Sequence, residues 1–337
     1  MAIVGLLCLG MSPSHSAEEK VAPEQSHPVD IGSRRELFVD DLLIDRLDNT
    51  QLKLHEPVSG GVAIRIDKPW EGVTFGGSVL HHQGRYMLYY SASPVEDDDV
   101  ALCVATSEDG VTWTKPVLGL VPYAGGRDNN VVASSVTANF DYASAPWVDD
   151  RPGVPDSERI KATTSEAISG EKHTSWRDPP GAKRLVFWAS ADGVSFRKID
   201  PQPTLVSHLG NCFDGGNTMF WSEAEGQYVL YYRCMDNVGT VRRTMARTTS
   251  KDCLRWSDPV VMSYGDSPRE QFYVNNTQPY FRAPHIYVAL AARFMQNRRV
   301  LTDEQVQRAG FMSSHGYTYF GDCSDGVLLT SRAGTTQ

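Results

Sequence analysis

Acidic side chains that immediately precede apolar strands are the groups in this sequence with chemistry to offer. Asp67 and Glu71 in DKPWEG, Asp149 in WVDDRP and Asp214 in CFDGGNTMFW stand out. Carboxylates in such a set suit hydrolysis of a glycosidic bond. One protonated acid serves the leaving oxygen, one carboxylate acts as base or nucleophile, and a third can steady the positive charge that develops. Asp214 is the sharpest candidate, because burial beside Phe213 and the apolar strand that follows would raise its pKa toward that of a general acid. Asp149 and Asp150 are consecutive, and neighbours on an extended chain point to opposite sides, so only one of them can face inward. Asp141 in NFDYAS is a weaker alternative. Each acid also has a plainer reading. Asp67 can pair with Lys68 or Arg65, Asp149 can sit in a polar turn closed by Pro152 and Gly153, and Asp214 can cap backbone amides.

Other side chains suit binding better than proton transfer. Trp70 offers a flat apolar face for a sugar ring, and Glu270, Tyr273 and Asn275 in REQFYVNN can hydrogen-bond hydroxyls. Arg233 and Arg293 end two apolar strands at equivalent places, where they fit either an anionic sugar or an outward ion pair. No metal site is expected. His81 and His82 are consecutive at a strand end, and the run Glu96 to Asp99 lacks the regular ligand spacing of a calcium loop, so a structural calcium is possible without being indicated. No nucleophile elbow, phosphate loop or HExxH pattern occurs, and no cofactor is expected.

These groups are carried on a repeat. A strand, then Ser-x-Asp-Gly or a variant, then an aromatic appears as ALCVATSEDGVTW, RLVFWASADGVSF and TMARTTSKDCLRW, with a degraded copy in GVLLTSRAGT. Between the copies lies a second unit, an apolar strand, a turn and an aromatic-rich strand, as in GGSVLHHQGRYMLYYSA and GNTMFWSEAEGQYVLYYRC. Long repeats of four short strands predict an all-β propeller rather than a sandwich, which has no need for the long unit to recur. The expected blades run from about 69 to 116, 130 to 199, 213 to 259 and 272 to 337. Residues 36–66 are expected to form a leading strand and a strap. The fourth blade breaks off after its third strand. Either the N-terminal segment completes it or, the preferred reading, the natural protein continues into a fifth blade.

ELFVDDLLID, DKPWEG, the two SxDGVx[WF] turns, WVDDRPGVPDSERIKA and FDGGNTMFW together resemble exported propeller proteins of planctomycete type, related to glycoside hydrolase families 32 and 43. The resemblance runs from about Arg35 to Arg332. It implies a five-bladed ring with one axial carboxylate from each of the first three blades. On that basis Asp67 or Glu71 would be base or nucleophile, Asp149 the charge stabiliser and Asp214 the acid. The sequence departs from the relatives in lacking Asn-Asp-Pro and in having Asp where they usually have Glu. Two rivals stand beside the hydrolase: a non-catalytic carbohydrate- or protein-binding propeller, and a sialidase-like enzyme, which would need an arginine cluster and a tyrosine at the axis.

The formal net charge of −9, with no Lys/Arg block, argues against nucleic acid and against a polybasic membrane anchor. A neutral or cationic partner, here a carbohydrate, suits such a surface. The apolar run Ala2 to Gly10 followed by small residues to Ala17 predicts a secretory signal over 1–17, a flexible mature start over 18–34 and one domain over 35–337, exported to the periplasm or beyond. It is too short to span a bilayer. Five of the six cysteines would remain, with no zinc spacing. Cys212 and Cys234 flank one hairpin and could pair, but buried thiols are the expected state.

Overall fold

The computed structural model describes residues 28–93, 100–134, 145–168, 183–203, 205–207, 212–236, 242–265, 267–309 and 321–336. The signal segment, Asp141 and the run Glu96 to Asp99 lie outside the described residues. Residues 1–34 and 35–337 form separate units, and in the first the described part is a turn in which Asp30 accepts from the Gly32 amide at 2.8 Å.

The second unit is nearly all β-structure, in four antiparallel sheets. The first runs β1 (Val73–His82), β2 (Arg85–Ser93), β3 (Ala101–Ser107), β4 (Val131–Ser134). The second runs β5 (Trp147–Val148), β6 (Ile160–Ala167), β7 (Lys183–Ser190), β8 (Arg197–Lys198), with β9 (Val206–Ser207) also on β7. The third runs β10 (Thr218–Ser222), β11 (Gln227–Asp236), β12 (Arg242–Ser250), β13 (Val260–Val261). In the fourth, β14 (Gln271–Val274) and β15 (Gln278–Tyr280) share one side of the long β16 (Ala283–Met295), and β17 (Cys323–Arg332) lies on the other. The fourth strand of the first sheet is therefore Val131–Ser134, well past Pro116. Its four residues are all buried, and it pairs with β3 across a long excursion.

Side-chain alternation explains why the sheets stack as blades. Along β11, Tyr228, Leu230, Tyr232 and Cys234 join a core with Trp147, Leu185 and Phe187 of the second sheet. Val229 and Tyr231 face the other way, onto Phe220 and Tyr287 at the seam with the fourth sheet. Likewise Met87 and Tyr89 of β2 meet Ile160, Val186 and Trp188 of the second sheet. A strand apolar on both faces must be covered on both, and here successive sheets cover each other.

The repeated turn is built identically three times. Asp109, Asp192 and Asp252 each accept from the amides two and three residues on, while Ser107, Ser190 and Ser250 accept from the amides of Gly110, Gly193 and Cys253. That position has φ of 74°, 78° and 66°, so Cys253 holds in the third copy the left-handed backbone that glycine takes in the other two. Residues 35–66 contain no strand, and the expected leading strand is absent. They act as a strap: Glu36 and Asp40 bind Arg332 at 3.1 and 2.6 Å, and Glu36 binds His285 at 2.9 Å. All five described cysteines are free, four of them buried. Cys212 and Cys234 are not bonded to each other.

Candidate functional site

The innermost strands β1, β5, β10 and β15 surround one cavity of about 660 Å³. The size suits a small oligosaccharide. Among the described residues two carboxylates line it, Asp150 just after β5 and Glu223 just after β10, together with His81, Trp221 and Phe281. Phe281 is 84% exposed, an unusual state for so large an apolar ring, and it presents a flat face at the cavity. Solvent reaches Asp150, yet partial burial, reinforced by the charges of Asp149 and Glu223 and only partly offset by Arg159 and His82, raises its pKa from the ordinary aspartate value. Neither Asp150 nor Glu223 has an ion-pair partner among the described residues. Two acids with different environments on one cavity are the elements of acid–base chemistry.

The acids singled out from sequence lie elsewhere. Glu71 is fully buried on the outer side of the first sheet, where it accepts from Lys115 at 2.6 Å, Tyr90 at 2.6 Å and the amides of Asp67 and Lys68 at 2.8 Å. Burial pushes its pKa up, but those bonds outweigh it and hold the carboxyl low. Asp67 is half exposed and binds the same Lys115 at 3.0 Å, and that hydrogen bond lowers its pKa. Trp70 packs on this outer core and donates to Asn130 at 3.0 Å. None of the three lines the axial cavity.

Asp149 is fully buried at the seam of the second and third sheets, bound by Lys161 at 2.5 Å and by the Tyr228 hydroxyl at 2.7 Å. Alternation sends Asp149 to the seam with Trp147 and leaves Asp150 at the cavity. Asn275 folds back on its own turn, accepting from the Thr277 amide at 2.8 Å, and its backbone carbonyl accepts from Thr218 at 2.6 Å. Arg293 forms the outward ion pair, with Asp325 at 2.6 Å and Glu270 at 3.3 Å.

Asp214, Arg233 and Tyr273 do come together. The Arg233 guanidinium binds the Asp214 carboxylate and lies 4.7 Å from the centre of the Tyr273 ring. Arg243, not singled out from sequence, joins them at 5.2 Å from the same ring. Glu223, Trp221 and Phe281 were missed as well. Trp221 had a signal in its place on an innermost strand, whereas Glu223 sits in a turn that reads as ordinary solvated SEAEG.

Four sheets stacked about one axial cavity make the chain an all-β propeller. No family model and no curated protein matches it. Solved structures similar to it include an N-acetylgalactosamine deacetylase from F. plautii in complex with blood group B trisaccharide, at 12% identity over 77% of this chain and 72% of that one, with a TM-score of 0.49. A Bacillus subtilis arabinanase shows 13% identity over 65% and 68%, with a TM-score of 0.37. A thermostable family-43 glycoside hydrolase shows 18% over 67% and 66%, with a TM-score of 0.42. Likenesses at this level assign no activity to the chain. Among the described residues no helix is long and apolar enough to cross a membrane.

Proposed function

We propose that the protein is an exported glycoside hydrolase-like enzyme that cleaves an extracellular or periplasmic oligo- or polysaccharide in the axial cavity. Asp150 is the acid and Glu223 the base or nucleophile. The observation that carries this reading is the pairing of the two carboxylates on one aromatic-lined cavity, with the pKa of Asp150 raised. A raised pKa extends the pH range over which a carboxyl keeps its proton, as the acid in a cleavage through two carboxylates must. Phe281 and Trp221 supply stacking faces for sugar rings, and His81 adds a polar contact.

The test is a screen of glycosides and plant or algal polysaccharides with the wild type and with Asp150→Asn, Glu223→Gln and Asp214→Asn. Loss of turnover in the first two variants with retention in the third supports the assignment, and full activity in Asp150→Asn refutes it. The non-catalytic binder remains the second reading, favoured by one observation: Glu71, Asp149 and Asp214 are each neutralised by a cation, Lys115, Lys161 or Arg233. Glycan binding without turnover in every form would establish that reading.

A further inference from the structure

We propose that Arg233, Arg243 and Tyr273 form a binding site for an oxyanion carried on a glycan, the carboxylate of a uronic acid or a sulfate ester. The site lies at the seam of the third and fourth sheets. Asp214 and Tyr273 each precede by three residues an asparagine that lines the axial cavity, Asn217 and Asn276. Three residues reach at most about 10 Å, and the left-handed Gly215 and Gly216 turn the first of these paths, so the cluster lies within that reach of the cavity wall. It is thus a second site beside the cavity, and its occupation does not depend on hydrolysis there.

The case rests on unbalanced charge. Arg233 is 3% exposed, and Arg243 is half-buried. Two guanidiniums share the Tyr273 ring, with Arg243 also 4.3 Å from the Phe294 ring. Arg233 is matched by Asp214, but the side-chain hydrogen bond of Arg243 goes to the neutral amide oxygen of Gln271 at 3.3 Å. No carboxylate among the described residues ion-pairs with Arg243, although Asp214 and Asp322 are near enough to act on its charge. Burial first, and then the like charge of Arg233, lower its pKa. Both side chains also have a buried Nε without an acceptor. Buried donors without acceptors and a like-charge contact are costly to maintain. An oxyanion settled between the two guanidiniums would relieve the repulsion and offer them an acceptor, and guanidinium is the group best shaped for carboxylate or sulfate. The exposed edge of Tyr273, 40% accessible, provides the way in and a hydroxyl donor. A net charge of −9 on the whole chain does not forbid this, since local charges decide binding at a contact and net charge acts at a distance.

The experiment measures binding by calorimetry to an oligogalacturonate, to its fully methyl-esterified form and to a sulfated galactan fragment, at low and high salt. The expected result is binding of an anionic glycan that weakens with salt. It should be at least about tenfold weaker in Arg243→Gln, since one charge-assisted hydrogen bond is worth roughly that much. Binding should tighten in Asp214→Asn, which removes the competing carboxylate, and hold in Asp150→Asn, which separates this site from the catalytic one. Preference for the galacturonate assigns a carboxylate, and preference for the galactan assigns a sulfate ester. Equal affinity for the esterified and acidic oligomers, or unchanged affinity in Arg243→Gln, overturns the proposal. Circular dichroism of each variant shows whether a loss reflects unfolding.

Discussion

Replacing Asp149 separates a structural acid from its cavity-lining neighbour Asp150. In Asp149→Asn the Lys161 ammonium, whose side chain is 4% exposed, loses its carboxylate and keeps only the Glu158 carbonyl at 3.1 Å. Removing one member of a buried ion pair costs about 3–5 kcal/mol, because the remaining charge stays out of water without compensation. The Asn oxygen can still accept from Tyr228, so no further loss of about 1–3 kcal/mol for an orphaned hydroxyl is added. Asp150→Asn, one residue along, removes a carboxyl that solvent reaches and that has no ion-pair partner among the described residues, and should stay within about 0.5 kcal/mol of wild type. Urea unfolding followed by fluorescence measures both, with a lowered midpoint at unchanged slope for Asp149→Asn. The double variant Asp149→Asn/Lys161→Met should recover most of the loss, since no charge is left buried. A cost under about 1 kcal/mol for Asp149→Asn, or no recovery in the double variant, would refute the pinned-pair account.

Three further outcomes follow from the same geometry. Gly193→Ala drives a Cβ into the Tyr89 hydroxyl and places it 2.7 Å from Met87 Cε, whereas at Gly110 the nearest atom is 3.6 Å away. Both variants bear about 1–2 kcal/mol for a left-handed residue, so Gly193→Ala should exceed Gly110→Ala by about 1–3 kcal/mol of overpacking in thermal denaturation. Glu71 has its pKa held below the unfolded value, so it stabilises fully above about pH 4.5 and its contribution fades as pH falls through the lowered folded value. Glu71→Gln should therefore flatten acid denaturation below that pH, and a stability profile parallel to wild type would count against the buried clamp. Asp150 has the opposite shift and loses its proton at a higher pH than an ordinary aspartate. If it is the acid, turnover falls on the alkaline side with a displaced midpoint, and abolishing the Glu223 charge with Glu223→Gln should bring that limb to lower pH in any residual activity.

The sequence displayed the blades because the information is local. Ser-x-Asp-Gly turns carry their whole hydrogen-bond pattern within six residues, and strands such as RYMLYYSAS and QYVLYYRCMD are apolar on both faces. The gathering of Asp214, Arg233 and Tyr273 was partly visible, since all three were picked out from blade starts and strand ends. The fate of the other acids was not. Glu71 is decided by Lys115, 44 residues away, and Asp149 by Tyr228, 79 residues away. No local pattern announces which cation or hydroxyl will arrive from another strand. Alternation showed that Asp149 and Asp150 part company, but the parity is settled only by Trp147, which faces the third sheet.

That parity has a counterpart one sheet on. Asp149 is bound by Lys161 of its own sheet and by Tyr228 of the next. Glu225 is bound by Arg247 of its own sheet at 2.5 Å and by Tyr287 of the next at 2.6 Å. Both seams are thus riveted by an acid, a cation of the same sheet and a tyrosine on the strand that pairs with the following sheet's innermost strand. Beside each riveted acid stands one that is not: Asp150 next to Asp149, and Glu223 two residues before Glu225. The arrangement repeats where an acid-rich turn follows the innermost strand, as WVDDRP does at β5 and SEAEG at β10. One carboxylate of the turn is drawn into the seam and its neighbour is left facing the cavity. The seam thus sorts the acids of these two turns: the one whose hydroxyl partner comes from the next sheet ties the two sheets together, and its neighbour is left at the cavity.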